Sequence, residues 1–203
     1  MNTRAKLRKL RTVMNTMGVD AFYVPSSDPH QSEYVPANWK RRAWLSGFEG
    51  SAGDVLVFRT PRQGAGLWTD GRYFLQAETD LAGSGIRLFR MGESGVPTIE
   101  QHLSRTLVPG SVLGLDPTVV SAARADALEA AAREAGAEVK WLDENPVDLI
   151  WEHRPPASSA PVELWPVEYS GESARAKLTR IRKQMRERGA LSLIHISEPT
   201  RPC

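Results

Sequence analysis

Three short stretches carry most of the side chains able to do chemistry. The first is Pro25-Ser26-Ser27-Asp28-Pro29-His30-Gln31-Ser32-Glu33-Tyr34, which sets carboxylates, an imidazole and hydroxyls directly after a strand-like run. Loops at strand ends often carry function. Asp28, His30 and Glu33 are the right residue types for a metal ion. No second histidine stands at ligand spacing, however, and His102 and His153 lie far off without a supporting pattern, so such a site is weakly specified. A structural turn with a helix cap, or a loop that faces a substrate, suits the same residues.

The second stretch runs from Lys40-Arg41-Arg42 to Gly53, with Gly47, Gly50 and Gly53 at every third position. Glycines allow positive φ and close backbone approach. A phosphate-cradling loop is one reading, but the Lys-Ser/Thr pair of a P-loop is missing. Ser51 is not a nucleophile elbow either, because Glu49 stands where that motif needs glycine. The simpler reading is a tight turn feeding a strand. The third stretch is Leu67-Trp68-Thr69-Asp70-Gly71-Arg72-Tyr73-Phe74. Asp70-Gly71 signals a turn, and Asp70 or Thr69 can cap a helix starting near Arg72. The Arg72 guanidinium can grip a carboxylate with a bidentate fork. Internal pairing with Asp70 or Glu78 is the favoured alternative. Taken alone, the three stretches contain no nucleophile–base pair, no two-metal carboxylate set and no dinucleotide fingerprint.

The elements that position these stretches alternate between helix and strand. Leu7, Leu10, Val13, Met14 and Met17 recur at helical spacing and Gly18 suits a left-handed helix end. A strand is expected at 21–24, and further strands at 54–59, 65–69, 86–90, 112–115 and 137–141. Helices are expected at 38–45, 72–81, 98–107 and from a Ser121 cap to about Ala135. This order predicts an α/β domain with a mixed sheet flanked by helices. Past Trp151, prolines 155, 156, 161 and 166 read as an extended linker. Trp165 and Tyr169 within it are expected to pack on something. A basic amphipathic helix follows at 173–188, with Ala174, Leu178, Ile181 and Met185 on one stripe.

Composition narrows the function classes. The net charge of +2 over 203 residues is too small to argue for nucleic-acid or membrane attraction. The single cysteine, Cys203, leaves no disulfide, which fits a reducing, cytoplasmic setting. The amino terminus lacks the apolar core of a secretory signal. Residues 191–201, Leu-Ser-Leu-Ile-His-Ile-Ser-Glu-Pro-Thr-Arg, match the translation of a transposase adapter used in DNA sequencing libraries. Residues 191–203 are therefore expected to be a non-native tail and are set aside; a genuine strand at 191–196 is the alternative. The expected organisation is a domain at 1–151, a Pro-rich linker at 152–171, the first helix of an incomplete second domain at 172–190, and the tail.

In order and spacing, the three stretches resemble the N-terminal, creatinase-like domain of three-domain Xaa-Pro aminopeptidases. The likeness continues through Leu115-Asp116-Pro117, Val120-Ser121, the run from Asn145 to Pro156, and Val167 to Ser173. This resemblance implies a creatinase/prolidase-type α/β fold with a mixed sheet, in a protein that removes the first residue of peptides with proline second. It further implies two Mn(II) ions held by two Asp, one His and two Glu of a C-terminal catalytic domain. None of those ligands can be assigned to this chain, so no catalytic or metal residue is expected here and the fragment itself is expected to be inactive. The family's N-terminal domain overhangs the active site and can join subunit contacts. His30, Glu33, Tyr34, Arg41, Arg42 and Arg72 are therefore the substrate-access candidates, and a peptide and a second subunit are the implied partners, with no nucleic acid and no membrane. The alternatives are a stand-alone creatinase-like domain serving as a binding or assembly module, and the N-terminal domain of a prolidase or creatinase relative.

Overall fold

The computed structural model describes residues 1–193. Of the tail's strand alternative at 191–196, residues 191–193 are not strand and 194–196 lie outside the described residues. The chain divides into two compact units, Met1–Ala157 and Ser158–Cys203.

In the first unit, six strands form one sheet: β1 (Ala21–Val24), β2 (Asp54–Phe58), β3 (Ala65–Thr69), β4 (Arg87–Arg90), β5 (Val112–Leu115) and β6 (Glu138–Trp141), in the order β4-β3-β2-β1-β5-β6. β2 pairs antiparallel with both β1 and β3, and the remaining pairs are parallel. Five strands thus point one way and β2 alone is reversed. Both faces of the four central strands are covered, so β1, β2, β3 and β5 read as nearly continuous apolar runs, whereas the edge strands β4 and β6 carry exposed charged residues. The alternation survives in the packing. Phe22, Val24, Val55, Val57 and Leu67 enter one core with Leu7, Leu10 and Met14 of α1 (Thr3–Met17). Ala21, Tyr23, Leu56, Phe58 and Trp68 enter the other, with Leu103 of α4 (Ile99–Thr106) and Leu128 of α5 (Ala122–Glu134).

Chain-local signals explain most boundaries. Asn2 caps α1 and Gly18 ends it at φ 68°. Thr98 and Gln101 form a reciprocal capping box at the start of α4, and Ser121 caps α5. Two expected helices are shorter than their patterns. The stretch 38–45 becomes a 3-10 turn at Ala37–Trp39 and then α2 (Arg41–Ser46), broken at Lys40, whose ψ of 46° leaves the helical region. The stretch 72–81 becomes α3 (Phe74–Asp80), and neither Asp70 nor Thr69 caps it. Asp70 Oδ1 instead accepts the backbone N–H of Arg72, while Thr69 Oγ1 donates to the Ala52 carbonyl. That local turn occupies the residues that would have been the helix's first turn.

In the second unit, Pro166 leads into α6 (Val167–Ser170), and Ser173 caps α7 (Ala174–Glu187). Trp165 and Tyr169 are 75% and 70% exposed. Their rings lie 5.7 Å apart, so their aromatic contact is with each other.

Candidate substrate-facing cleft

The sheet's polarity gathers the three chemically rich stretches. The carboxyl ends of β1 and β3 and the amino end of β2 lie along one edge, because β2 runs opposite to its neighbours. From that edge emerge the loop after Val24, the glycine-rich approach to Asp54 and the Asp70 turn. Ligands of open α/β sheets bind at such an edge.

The first loop is built around Asp28. Its buried carboxylate accepts the backbone N–H groups of His30 at 2.9 Å and Ser32 at 3.0 Å. The bond from the Ser32 N–H, opposed by burial and supported by Ser32's side chain and His30, holds the Asp28 carboxyl below its ordinary value. Gln31 takes a left-handed φ of 53° so that the turn closes, and its side-chain amide reaches the Val119 carbonyl. Ser27 Oγ donates to the same carbonyl at 2.7 Å. Asp28 is therefore committed to its own loop. Among the described residues no three His, Cys, Asp or Glu side chains come together to hold a metal ion. The metal reading of Asp28, His30 and Glu33 thus falls to the turn-forming one, and the residues present do not fit a di-manganese site.

Arg42 organises the second stretch. The side chain is buried, donating from Nε to Ser26 Oγ at 2.8 Å and from its two terminal nitrogens to the carbonyls of Phe48 and Gly50. Burial pushes its pKa down to about 10, against the opposing pull of Asp54, Tyr73 and Glu49. The glycine-rich loop thus turns carbonyl oxygens toward a cation, the reverse of a phosphate cradle, whose N–H groups face an anion. Gly50 is required by space, since a Cβ there would overlap the rings of Phe48 and Tyr73. Ser51 Oγ meets Tyr73 OH at 2.6 Å and has no base beside it.

Between these loops lies a cleft of about 160 Å³. Pro25, Val35, Trp39 and Ala43 supply apolar wall, and Glu33, Tyr34, Lys40 and Glu49 supply polar and aromatic rim. Three of the six access candidates line it: Glu33, Tyr34 and Arg42. Tyr34 is 84% exposed, whereas Arg42 forms wall and has its donors taken. His30 is exposed on the same loop but does not line the cleft. Arg72 is exposed and forks onto Asp70 at 3.0 and 2.8 Å, the internal pairing. The Arg72 bond lowers the Asp70 carboxyl despite some burial.

Arg41 departs most from the access reading. It is buried and forks onto Asp148 at 2.7 and 2.6 Å, while Arg154 donates to the same carboxylate at 2.6 Å. The Trp39 ring packs beneath both guanidinium groups. Arg41 is a structural tie from α2 to the 145–154 segment. Its sequence neighbour Arg42 gave no hint of this; the signal lay 107 residues away in Asp148. A second cluster was also missed. Tyr23 OH donates to Asp54 Oδ2 at 2.6 Å and accepts from Arg124 Nε at 3.1 Å, and Arg124 also pairs with Glu100. Burial, and then the Asp54 charge, raise the Tyr23 phenol well above its ordinary value.

The arrangement can bind and orient a small polar–apolar group, and it contains no reacting pair. An α/β domain of this kind, with a mixed six-stranded sheet and a cleft at its carboxyl edge, is a creatinase/prolidase-type amino-terminal domain. The sequence profile of the creatinase/prolidase N-terminal domain matches residues 6–151, and the chain belongs to that family. It is 40% identical over 195 residues to a probable Xaa-Pro aminopeptidase P of Pyrenophora teres f. teres, covering 96% of this chain and 29% of that protein. An X-prolyl aminopeptidase from Caenorhabditis elegans, described as a cytosolic enzyme with a di-nuclear active site, superposes with a TM-score of 0.76 at 32% identity, over 93% of this chain and 32% of that one. The N-terminal domain of the cytoplasmic peptidase PepQ from Mycobacterium tuberculosis H37Rv superposes with a TM-score of 0.53 at 28% identity, over 73% of this chain and 99% of that one. The chain thus spans about 30% of the length of the curated relatives it matches.

Proposed function

We propose that this chain is the non-catalytic amino-terminal part of a Xaa-Pro aminopeptidase that removes the first residue of peptides with proline second. The observation that carries the reading is the 40% identity over 195 residues to a protein named for that activity, at 29% of its length. In this reading the domain occupies 1–151, 152–171 is a linker, 172–190 begins a second domain, and 191–203 is non-native. The longer protein works in the cytoplasm and pairs with a second copy, and its two metal ions, manganese by family habit, sit on residues outside this chain. Glu33, Tyr34 and the neighbouring His30 border the route by which peptide reaches the metals. Arg42 shapes that border, and Arg41 and Arg72 support it at one remove.

The test compares two polypeptides on an X-Pro-containing peptide with added manganese. The full-length gene product should release the first residue and the 203-residue chain should not. A folded full-length product that leaves the peptide intact would sink the proposal, as would cleavage by the purified short chain. Glu33→Gln and Tyr34→Ala in the full-length protein should raise KM with little change in kcat, because a border residue affects entry and not bond breaking.

A further inference from the structure

Helix α1 carries Arg4, Lys6, Arg8, Lys9 and Arg11 and no carboxylate. Spaced four and then three apart, Arg4, Arg8 and Arg11 fall on one stripe, where neighbouring like charges repel. Arg4 also lies in the first turn, where the helix dipole disfavours a cation. Other cations nearby are neutralised: Lys9 reaches Glu152 at 2.6 Å, and Arg59 pairs with Asp20. Among the described residues, Arg4, Arg8 and Arg11 form no ion pair. All three line one depression of about 300 Å³, bounded on its other side by the turns that hold Gly64 and Ser84, and none of its lining residues is acidic.

Arg11 is the fixed point of this depression. It is half-buried and donates from Nε to the Phe58 carbonyl at 2.9 Å and from Nη2 to the Gly64 carbonyl at 3.1 Å, which leaves Nη1 uncommitted. Burial lowers its pKa, and no carboxylate stands beside it to offset the lost water. Across from it, Ser84 is buried; its Oγ accepts the Ile86 N–H at 3.0 Å and donates to no acceptor among the described residues. A partly desolvated cation without a counter-charge carries a free-energy cost that a bound anion would offset. The exposed Arg4 and Arg8 complete a set of guanidinium groups, whose planar forks match phosphate oxygens two at a time.

We propose that this face of α1 is a binding site for a short chain of phosphates, a di- or triphosphate. Length selects that chemistry. The stripe from Arg4 to Arg11 covers about 10 Å of helix. An extended acidic peptide presents same-side carboxylates about 6.6 Å apart, so three of them would need about 13 Å. Linked phosphates set comparable charge in a shorter run. The inference rests on α1 and the turns beside it, and does not depend on the proposed function.

Calorimetric titration of the 203-residue chain tests this at about 150 mM salt, where diffuse attraction is screened. Magnesium-free tripolyphosphate should bind at one site per chain, at least about tenfold more tightly than orthophosphate or hexaglutamate. Arg4→Gln/Arg8→Gln alters only exposed side chains, so the fold should persist and tripolyphosphate should bind at least about tenfold more weakly. Arg182→Gln/Arg186→Gln removes the same charge from α7, outside the depression, and should change the affinity less than about twofold. ATP, also free of magnesium, identifies the source. Tighter binding than tripolyphosphate assigns the site to a nucleotide, equal or weaker binding assigns it to the bare phosphate chain, and both uphold it. The proposal is overturned if tripolyphosphate does not bind, if orthophosphate or hexaglutamate matches it, if the α1 substitutions leave its affinity unchanged, or if the α7 substitutions weaken it as much.

Discussion

Arg41 and Arg42 are adjacent, both buried, and have unlike partners: the Asp148 carboxylate, with Asp116 at 3.6 Å from an Nη1 that makes no hydrogen bond, for one, and carbonyls and a hydroxyl for the other. The consequences of mutation differ accordingly. Asp148→Ala removes the carboxylate that both Arg41 and Arg154 grip, leaving the 6%-exposed Arg41 side chain only Asp116 at 3.6 Å, and should cost about 3 kcal/mol, as when one partner of a buried pair is removed. A fall in the urea midpoint at unchanged slope would register it. Asp28 offers a pH handle. Its carboxyl is held below the usual 3.8, chiefly by the Ser32 N–H, so the folded state binds protons less readily than the unfolded one. The stabilisation is therefore present above that value and is lost as pH falls through the lower folded one. Asp28→Asn keeps an acceptor but does not titrate, so its stability should change less between about pH 5 and 2 than that of the parent chain. Tyr23 works in the opposite direction. Its raised phenol stabilises the fold below pH 10 and loses that contribution as pH climbs toward the folded value, and Tyr23→Phe should remove this alkaline decline from denaturation profiles.

Among the elements, β3 is constrained by close packing at Gly66. Gly66 sits beneath the Trp68–Phe89 stack, whose ring centroids are 4.0 Å apart, and a Cβ there would come within 2.6 Å of both rings. The strand's φ/ψ is ordinary, so space and not backbone strain demands the glycine. Gly66→Ala should cost about 1–3 kcal/mol by overpacking and should weaken the near-UV circular dichroism of the displaced tryptophan. The helix ends at Ser121 and Gly18 were legible in the chain because a cap is a local event, acting within four residues, and Thr98 and Ser173 cap their helices over the same short span. The starts of α2 and α3 were not legible. There a 3-10 turn and the Asp70 turn compete with helix over a few residues, and periodicity cannot detect such competition.

For the molecule as a whole, both hydrophobic cores lie within Met1–Ala157. A protein ending at Ala157 should unfold cooperatively with a thermal midpoint within about 3 °C of the full chain, since surface changes away from a core seldom exceed about 0.5 kcal/mol. A much lower midpoint would mean that the second unit contributes to folding of the first. No helix among the described residues is long and apolar enough to cross a membrane.

Apolar periodicity, caps and turn residues determined the helix–strand order, the mixed α/β class and the three stretches from which the cleft is made, because each of these depends on neighbours a few residues apart. The family resemblance was equally legible, since it rests on runs of residue types in order. Only the tertiary structure decided what the charged side chains do. It turned Arg41 onto Asp148, enclosed Arg42 in carbonyls, joined Tyr23 to Asp54 and Arg124, and left Glu33 and Tyr34 at the cleft. An arginine next to a glycine-rich loop reads the same whether it faces a ligand or a carboxylate 107 residues on, and the choice depends on a sheet order that no short window of sequence contains.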